Sequence, residues 1–183
     1  MADTFRLETE RLVLRSWREE DIAPFWESAC DPEVVRYLGP MAHRDEAVAR
    51  YHAQTAMQGE HGFCFWVIER KEDGRFIGQC GLCPPRHHFT EVEIGWRLSR
   101  FAWGQGYALE AARAALGWGW AHLAAPSIIA ITVRANEPSW RLMDKLGMTY
   151  SPDEDFDHPA VPDDSPLKRH ILYRIHRPEA PIA

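Results

Sequence analysis

Apolar residues change their spacing along the chain, and each change marks an element. Residues 11–17 (RLVLRSW) and 63–69 (FCFWVIE) are short runs rich in branched and aromatic side chains, and they predict strands. Glu72, Asp73 and Gly74 are a turn signal, and residues 75–82 return as a second strand, so the two predict a hairpin. Residues 91–98 (EVEIGWRL) alternate, with Val92, Ile94, Trp96 and Leu98 on one face and Glu91, Glu93, Gly95 and Arg97 on the other. Residues 127–133 (SIIAITV) are an unbroken run of the kind buried on both faces of a sheet. From Ala108 the spacing becomes helical: Ala108, Ala111, Ala112, Ala115, Leu116 and Gly119 share one face. That stripe is nearly all small, so the helix can lie close to a sheet. Earlier helices are predicted over 21–29, with Pro24 in the first turn, and over 44–57, with Ala47, Val48 and Tyr51 on one side. Asn136 is a candidate cap for a helix that tolerates Pro138 in its first turn and ends at Gly147. A short strand over 148–151 leads into a Pro- and Asp-rich loop that runs to Pro166. Residues 170–176 close the chain as an edge strand or one arm of a hairpin. The order β-α-α-β-β-β-α-β-α-β-β predicts one α/β layered domain over 1–183, with no repeat and no linker.

Composition narrows the classes. The 183 residues are 45% apolar and 26% charged, which is globular rather than disordered. The net charge of −6 is local: Asp153, Glu154, Asp155, Asp157, Asp163 and Asp164 lie in one stretch without Lys or Arg, and the remaining acids and bases balance. Binding nucleic acid through bulk electrostatics needs the opposite sign, so a nucleic-acid partner is not expected. No run approaches the roughly 18 apolar residues of a membrane span, and the start has no signal-like apolar core. The expectation is a cytoplasmic protein with no membrane partner. Of Cys30, Cys64, Cys80 and Cys83 only the last two are close. On a strand they point to opposite faces, which argues for reduced thiols. A metal held by Cys80, Cys83, His87 and His88 is a competing reading, but the spacing is cramped for zinc, and no metal is expected.

The chemistry concentrates in residues 96–112 (WRLSRFAWGQGYALEAA). A strand ends, a short loop follows, and Gly104-Gln105-Gly106-Tyr107-Ala108 opens the long helix. Free N–H groups at such a start favour an anion, and a pyrophosphate suits them. A tight turn needing two glycines reads the same way. A phosphate-binding lysine is absent, because Tyr107 and Ala108 stand where Lys-Ser/Thr would follow, and Leu109 takes the place of a third dinucleotide-site glycine.

WGQGYALEA resembles the acetyl-coenzyme A motif of the GNAT N-acetyltransferase superfamily, in its RimJ/RimL form, which acetylates protein N-termini. LETERLVLRSWREEDIAPFWE, VEIGWRL, RANEPSWRLMDKLGM and HILYRI resemble that group's opening strand and helix, fourth strand, fifth-strand exit with fourth helix, and last strand. The resemblance spans nearly the whole chain. It implies an α/β (α+β) GNAT fold: a mixed, mostly antiparallel sheet with helices on both faces, and the fourth and fifth strands (91–98 and 127–133) splayed apart. It further implies acetyl-CoA as cosubstrate, its pantetheine arm against Trp96, Arg97 and Leu98, and its pyrophosphate on the amides of Gly104, Gln105, Gly106, Tyr107 and Ala108. Trp103 would pack there, and Asn136 matches the Asn that contacts the pantetheine. Glu110 matches the family's motif-helix Glu, in a structural role. Members occur as monomers or homodimers.

The implied reaction is direct attack of a neutral primary amine on the thioester. Leu98 offers a backbone donor for the oxyanion. Glu93 is the candidate base and Glu91 its substitute, against the reading of a salt-bridged strand acid. Many members use a Tyr as acid where this chain has Met143; the RimJ/RimL pattern offers Ser139 instead. His87 and His88, with Asp155 and Asp157, are candidates for the acceptor groove. An α-amine has a pKa about 2.5 units below a lysine, worth about 3.4 kcal/mol of deprotonation, so a weak or water-relayed base suits an N-terminal amine. A CoA-binding sensor without turnover is the alternative function.

Overall fold

A computed structural model describes residues 5–179; the ends of the predicted 1–183 domain, residues 1–4 and 180–183, lie outside them. The strands are β1 (Arg6–Glu8), β2 (Leu12–Arg15), β3 (Phe65–Arg70), β4 (Arg75–Cys83), β5 (Val92–Leu98), β6 (Ser127–Val133), β7 (Thr149–Tyr150), β8 (Phe156–Asp157) and β9 (Arg169–His176). The helices are α1 (Ile22–Cys30), α2 (Pro32–Val35), α3 (Arg44–His61), α4 (Tyr107–His122) and α5 (Glu137–Lys145). One sheet runs β1-β2-β3-β4-β5-β6-β9-β7, with β8 also paired to β9. Every pairing is antiparallel except β5 with β6.

That parallel pairing is brief. Val92 faces Ile128 and Glu93 faces Ile129, and there the register ends. From Ile94 to Leu98 one edge of β5 has no strand partner, because β6 has turned to pair along its whole length with β9. The sheet therefore opens as a V between its halves.

The two faces differ in what covers them. The small stripe of α4 lies against β4 and β5, and a Cβ on Gly119 would come within 2.7 Å of the Leu82 side chain. The helix sits this close only because that position is glycine. The other face meets α1 and α3. There Phe25 is buried, and the buried Gln54 carbonyl oxygen accepts the Phe65 N–H at 2.9 Å.

Several expectations are corrected. Residues 170–176 are not an edge: β9 has β6 on one side and β7 and β8 on the other. The loop after Ser151 contains β8, too short for periodicity to show. The same holds for β1, and for α2, a single turn held by Pro32 and by the Asp31 carboxylate accepting the Glu33 N–H. Asn136 stands at the N-cap of α5, but its side chain does not cap; its amide donates to the Thr132 hydroxyl at 3.0 Å. Its backbone carbonyl accepts from Ser139 and Trp140 instead. Among the described residues no helix is long and apolar enough to cross a membrane.

Candidate active site

The loop before α4 is built to leave donors free. Gly104 and Gly106 have φ of +74° and +81°, a region that L side chains resist. Two left-handed residues in three turn the chain sharply into the helix. The N–H groups from Gly104 to Leu109 find no acceptor among the described residues; the first helical bond is from Glu110 to the Gly106 carbonyl, at 3.1 Å. A Cβ at Gly104 would meet nothing within 4 Å, so the backbone there is open to a ligand. The residues fit a pyrophosphate: unpaired amides, a helix dipole and room for close approach.

Arg11 braces this loop, and sequence reasoning missed it. Its Nε donates to Glu110 Oε2 at 2.7 Å and its Nη1 to the Gln105 carbonyl at 3.0 Å, and its guanidinium lies 4.6 Å from the Tyr107 ring centroid. Glu110 also accepts from the Thr9 hydroxyl and the Arg11 N–H, at 2.6 and 2.8 Å. Glu110 is thus a strut between the first hairpin and α4. The match to the family's motif-helix Glu and its place as the acid in the first turn of α4 hinted at a structural role, but not at Arg11. Trp103 is half exposed, and its indole N–H donates to the Leu98 carbonyl at 2.9 Å, joining the loop to the end of β5.

At the V, Trp96, Arg97 and Leu98 form the edge of β5 that β6 leaves open. Asn136 and Ser139 lie across it, at the exit of β6 and the first turn of α5. The Ser139 N–H is used by the Asn136 carbonyl, while its hydroxyl has no partner among the described residues. Met143, at the family's Tyr position, is buried and apolar. Glu93 is only 5% exposed, and both its oxygens accept from Arg86, at 2.8 and 2.7 Å. It is therefore an ion-paired acid, not a solvated one. Glu91 accepts from Ser127 at 2.5 Å and from two Arg174 nitrogens at 2.7 and 2.8 Å, and Arg174 holds its carboxyl below the ordinary range.

The two candidate acceptor segments meet. His87 and His158 rings are 4.7 Å apart, His88 and Phe156 5.0 Å, Phe89 and Phe156 4.9 Å. His87 has φ of +58°, which turns the loop toward β8. Burial, then His170 and His87, push His158 down to about 4. Asp155 Oδ2 accepts from the Tyr150 hydroxyl at 2.8 Å, while its Oδ1 is buried without a partner. Asp157 pairs with Arg169 at 3.4 Å on the outer edge. Cys64, Cys80 and Cys83 are buried free thiols and Cys30 is exposed. Burial pushes all three buried thiols up, so none is a ready thiolate. Among the described residues no three His, Cys, Asp or Glu side chains group to hold a metal.

Residues 11–149 match the model of the acetyltransferase (GNAT) domain. The chain belongs to the GNAT acetyltransferase family. It is therefore an acyltransferase of the N-acetyltransferase type, and its GNAT fold is the one that uses acetyl-CoA. The chain is 34% identical over 150 residues to the uncharacterized protein YkkB of Bacillus subtilis (strain 168), across 80% of this chain and 86% of that one. An acetyltransferase of Agrobacterium tumefaciens strain C58 superposes with a TM-score of 0.78 at 27% identity, covering 95% of each chain. The RimL ribosomal L7/L12 α-N-protein acetyltransferase, solved with coenzyme A, superposes with a TM-score of 0.78 at 11% identity over 94% of this GNAT chain and 98% of its own. That last likeness is one of fold.

Proposed function

We propose that this GNAT protein transfers the acetyl group of acetyl-CoA to a primary amine by direct attack, and that the amine is a terminal α-amine. The observation that carries the reading is the open edge of β5 beyond Glu93, which leads straight to the unpaired amides of residues 104–109. A thioester arm pairing with that edge brings its carbonyl to the V, beside Ser139. The free Ser139 hydroxyl is suited to protonate or hydrogen-bond the leaving thiolate. Glu93, with both oxygens on Arg86, takes the amine proton through a water rather than by direct contact. An α-amine is already about one-tenth neutral near pH 7, so this weak base suffices, whereas a lysine would need far more. The segments that carry His87, His88, Asp155 and Asp157, joined by the His87–His158 and His88–Phe156 ring contacts, border the amine.

Two features favour CoA binding without turnover: the buried acid Glu93 is fully paired, and Met143 replaces an acidic hydroxyl. Free-thiol release from acetyl-CoA, measured against a panel of peptides, amino acids and polyamines, separates the two. Turnover with α-amines well above that with ε-amines is expected. Tight CoA binding with no thiol release on any amine overturns the transfer reading.

A further inference from the structure

The sheet face under α1 and α3 carries more positive charge than acetyl transfer uses. On β5 and β4, Arg97 and Gln79 are cross-strand partners, so their side chains leave the sheet on the same face. Glu93 shares that face at two positions' alternation. Arg50 approaches from α3 and Arg86 from the loop after β4. Glu93 is consumed by Arg86, at 2.7 and 2.8 Å. Arg50 and Arg97 have neither an ion pair nor a hydrogen bond among the described residues. Arg97 stacks 4.3 Å over the Phe25 ring, and its Nη2 is buried with no partner. Gln79 Oε1, its neighbour, is likewise buried and unpaired.

Burying a guanidinium without a counter-charge is costly. Burial, reinforced by Arg50, pulls Arg97 down to about 10, which leaves it charged at neutral pH. Burial and the nearby Arg86 lower Arg50 as well. The guanidinium fork fits a planar oxyanion in two-point contact. The pyrophosphate of the cosubstrate does not meet this need. The backbone of Arg97 lines the edge of β5, but its side chain lies over α1, on the face opposite α4. An anion bound here therefore arrives with the acceptor.

We propose that Arg50 and Arg97 form an anion subsite of the acceptor site, so that the preferred amine carries a carboxylate. Resting on the proposed acetyl transfer, this narrows the acceptor to free amino acids, through the α-carboxylate, or to peptides with an acidic first residue.

Acetylated products test the subsite without requiring turnover. Binding to the CoA-loaded protein is measured by calorimetry for two pairs: N-acetylglycine against N-acetylglycinamide, and N-acetylaspartyl amide against N-acetylasparaginyl amide. In one pair the carboxylate should bind at least about tenfold tighter than the carboxamide, about 1.4 kcal/mol. The first pair identifies a free amino acid, the second an acidic N-terminal residue. Arg50→Gln and Arg97→Gln should each erase the preference, Arg97→Lys should retain part of it, and Arg50→Gln should keep its affinity for CoA and melt no lower than the parent. Equal or undetectable binding of both partners in each pair, a preference that survives both Gln variants, or binding of inorganic phosphate alone overturns the proposal. Carboxylate-selective binding alongside no thiol release on any amine would sink acetyl transfer and leave the anion subsite standing.

Discussion

Ser139 has its amide committed to the Asn136 carbonyl and its hydroxyl without a partner among the described residues. A first-turn serine commonly spends its hydroxyl on local amides; this one does not. Ser139→Ala should lower kcat by about a hundredfold, the low end for losing a general acid, with a smaller effect on KM for the amine. Steady-state kinetics by thiol release reads both. At this scale alternation shows which face of a strand a residue takes, but not its partner. The alternation of 91–98 puts Glu93 on the face opposite Val92 and Ile94, but does not disclose its partner Arg86, which reaches it from the loop after β4. Arg11 and Glu110 are 99 positions apart, and nothing local in either announces the contact.

At the scale of elements, β4 and β5 are joined where side chains leave no room. A Cβ at Gly78 would sit 2.3 Å from the Arg97 carbonyl oxygen and 2.7 Å from Leu98 Cα, and φ there is +146°. Both atoms belong to the backbone of β5, which cannot yield without moving the edge that the cosubstrate needs. Gly78→Ala should cost at least about 2 kcal/mol of stability. It should also raise KM for acetyl-CoA, as chemical denaturation and kinetics would show. Long elements with a clear period were legible: α4 from its alanine stripe, β6 from its branched run. β1 and β8 were not, since such short strands exist only because a neighbour supplies the hydrogen bonds, and neither was α2, a single turn too short to show a period. For β9 the edge alternative fails, while its antiparallel pairing with the preceding β8 fits the hairpin alternative; a pattern of apolar positions records burial, not which strands flank it.

Over the whole molecule, the acidic stretch is less bare than its charge implies. Glu154 pairs with Arg174, Asp157 with Arg169 and Asp163 with Lys168, at 2.5, 3.4 and 2.8 Å, and all three bases come from β9 or its approach. The stretch is thereby fastened to the sheet rather than left as a solvated loop. The same region governs the response to acid. His158 titrates near 4 when folded, through burial and then His170, His87, Arg86 and Lys168, against 6.5 unfolded. Between those values the unfolded chain binds a proton that the native chain refuses, so stability rises with pH across the window and falls as pH drops from about 6.5 toward 4. His158→Phe should flatten the melting-temperature profile over that range, as calorimetry at stepped pH would reveal. The carboxylates lowered by pairing, Glu91 and Glu154 among them, begin to lose their contribution as pH falls through their ordinary value of 4.5, at the acid end of the same window.

The central place of β9 has a consequence for how the protein is made. Residues 169–176 are synthesised about 35 residues after β6 ends, yet they supply seven register pairs to β6. Until they emerge, one edge of β6 (SIIAITV) is an unpaired apolar template of the kind that recruits strands from other chains. The nascent chain must therefore shelter that edge until β9 emerges, and termination between β6 and Arg169 would leave an aggregation-prone product rather than a smaller folded one.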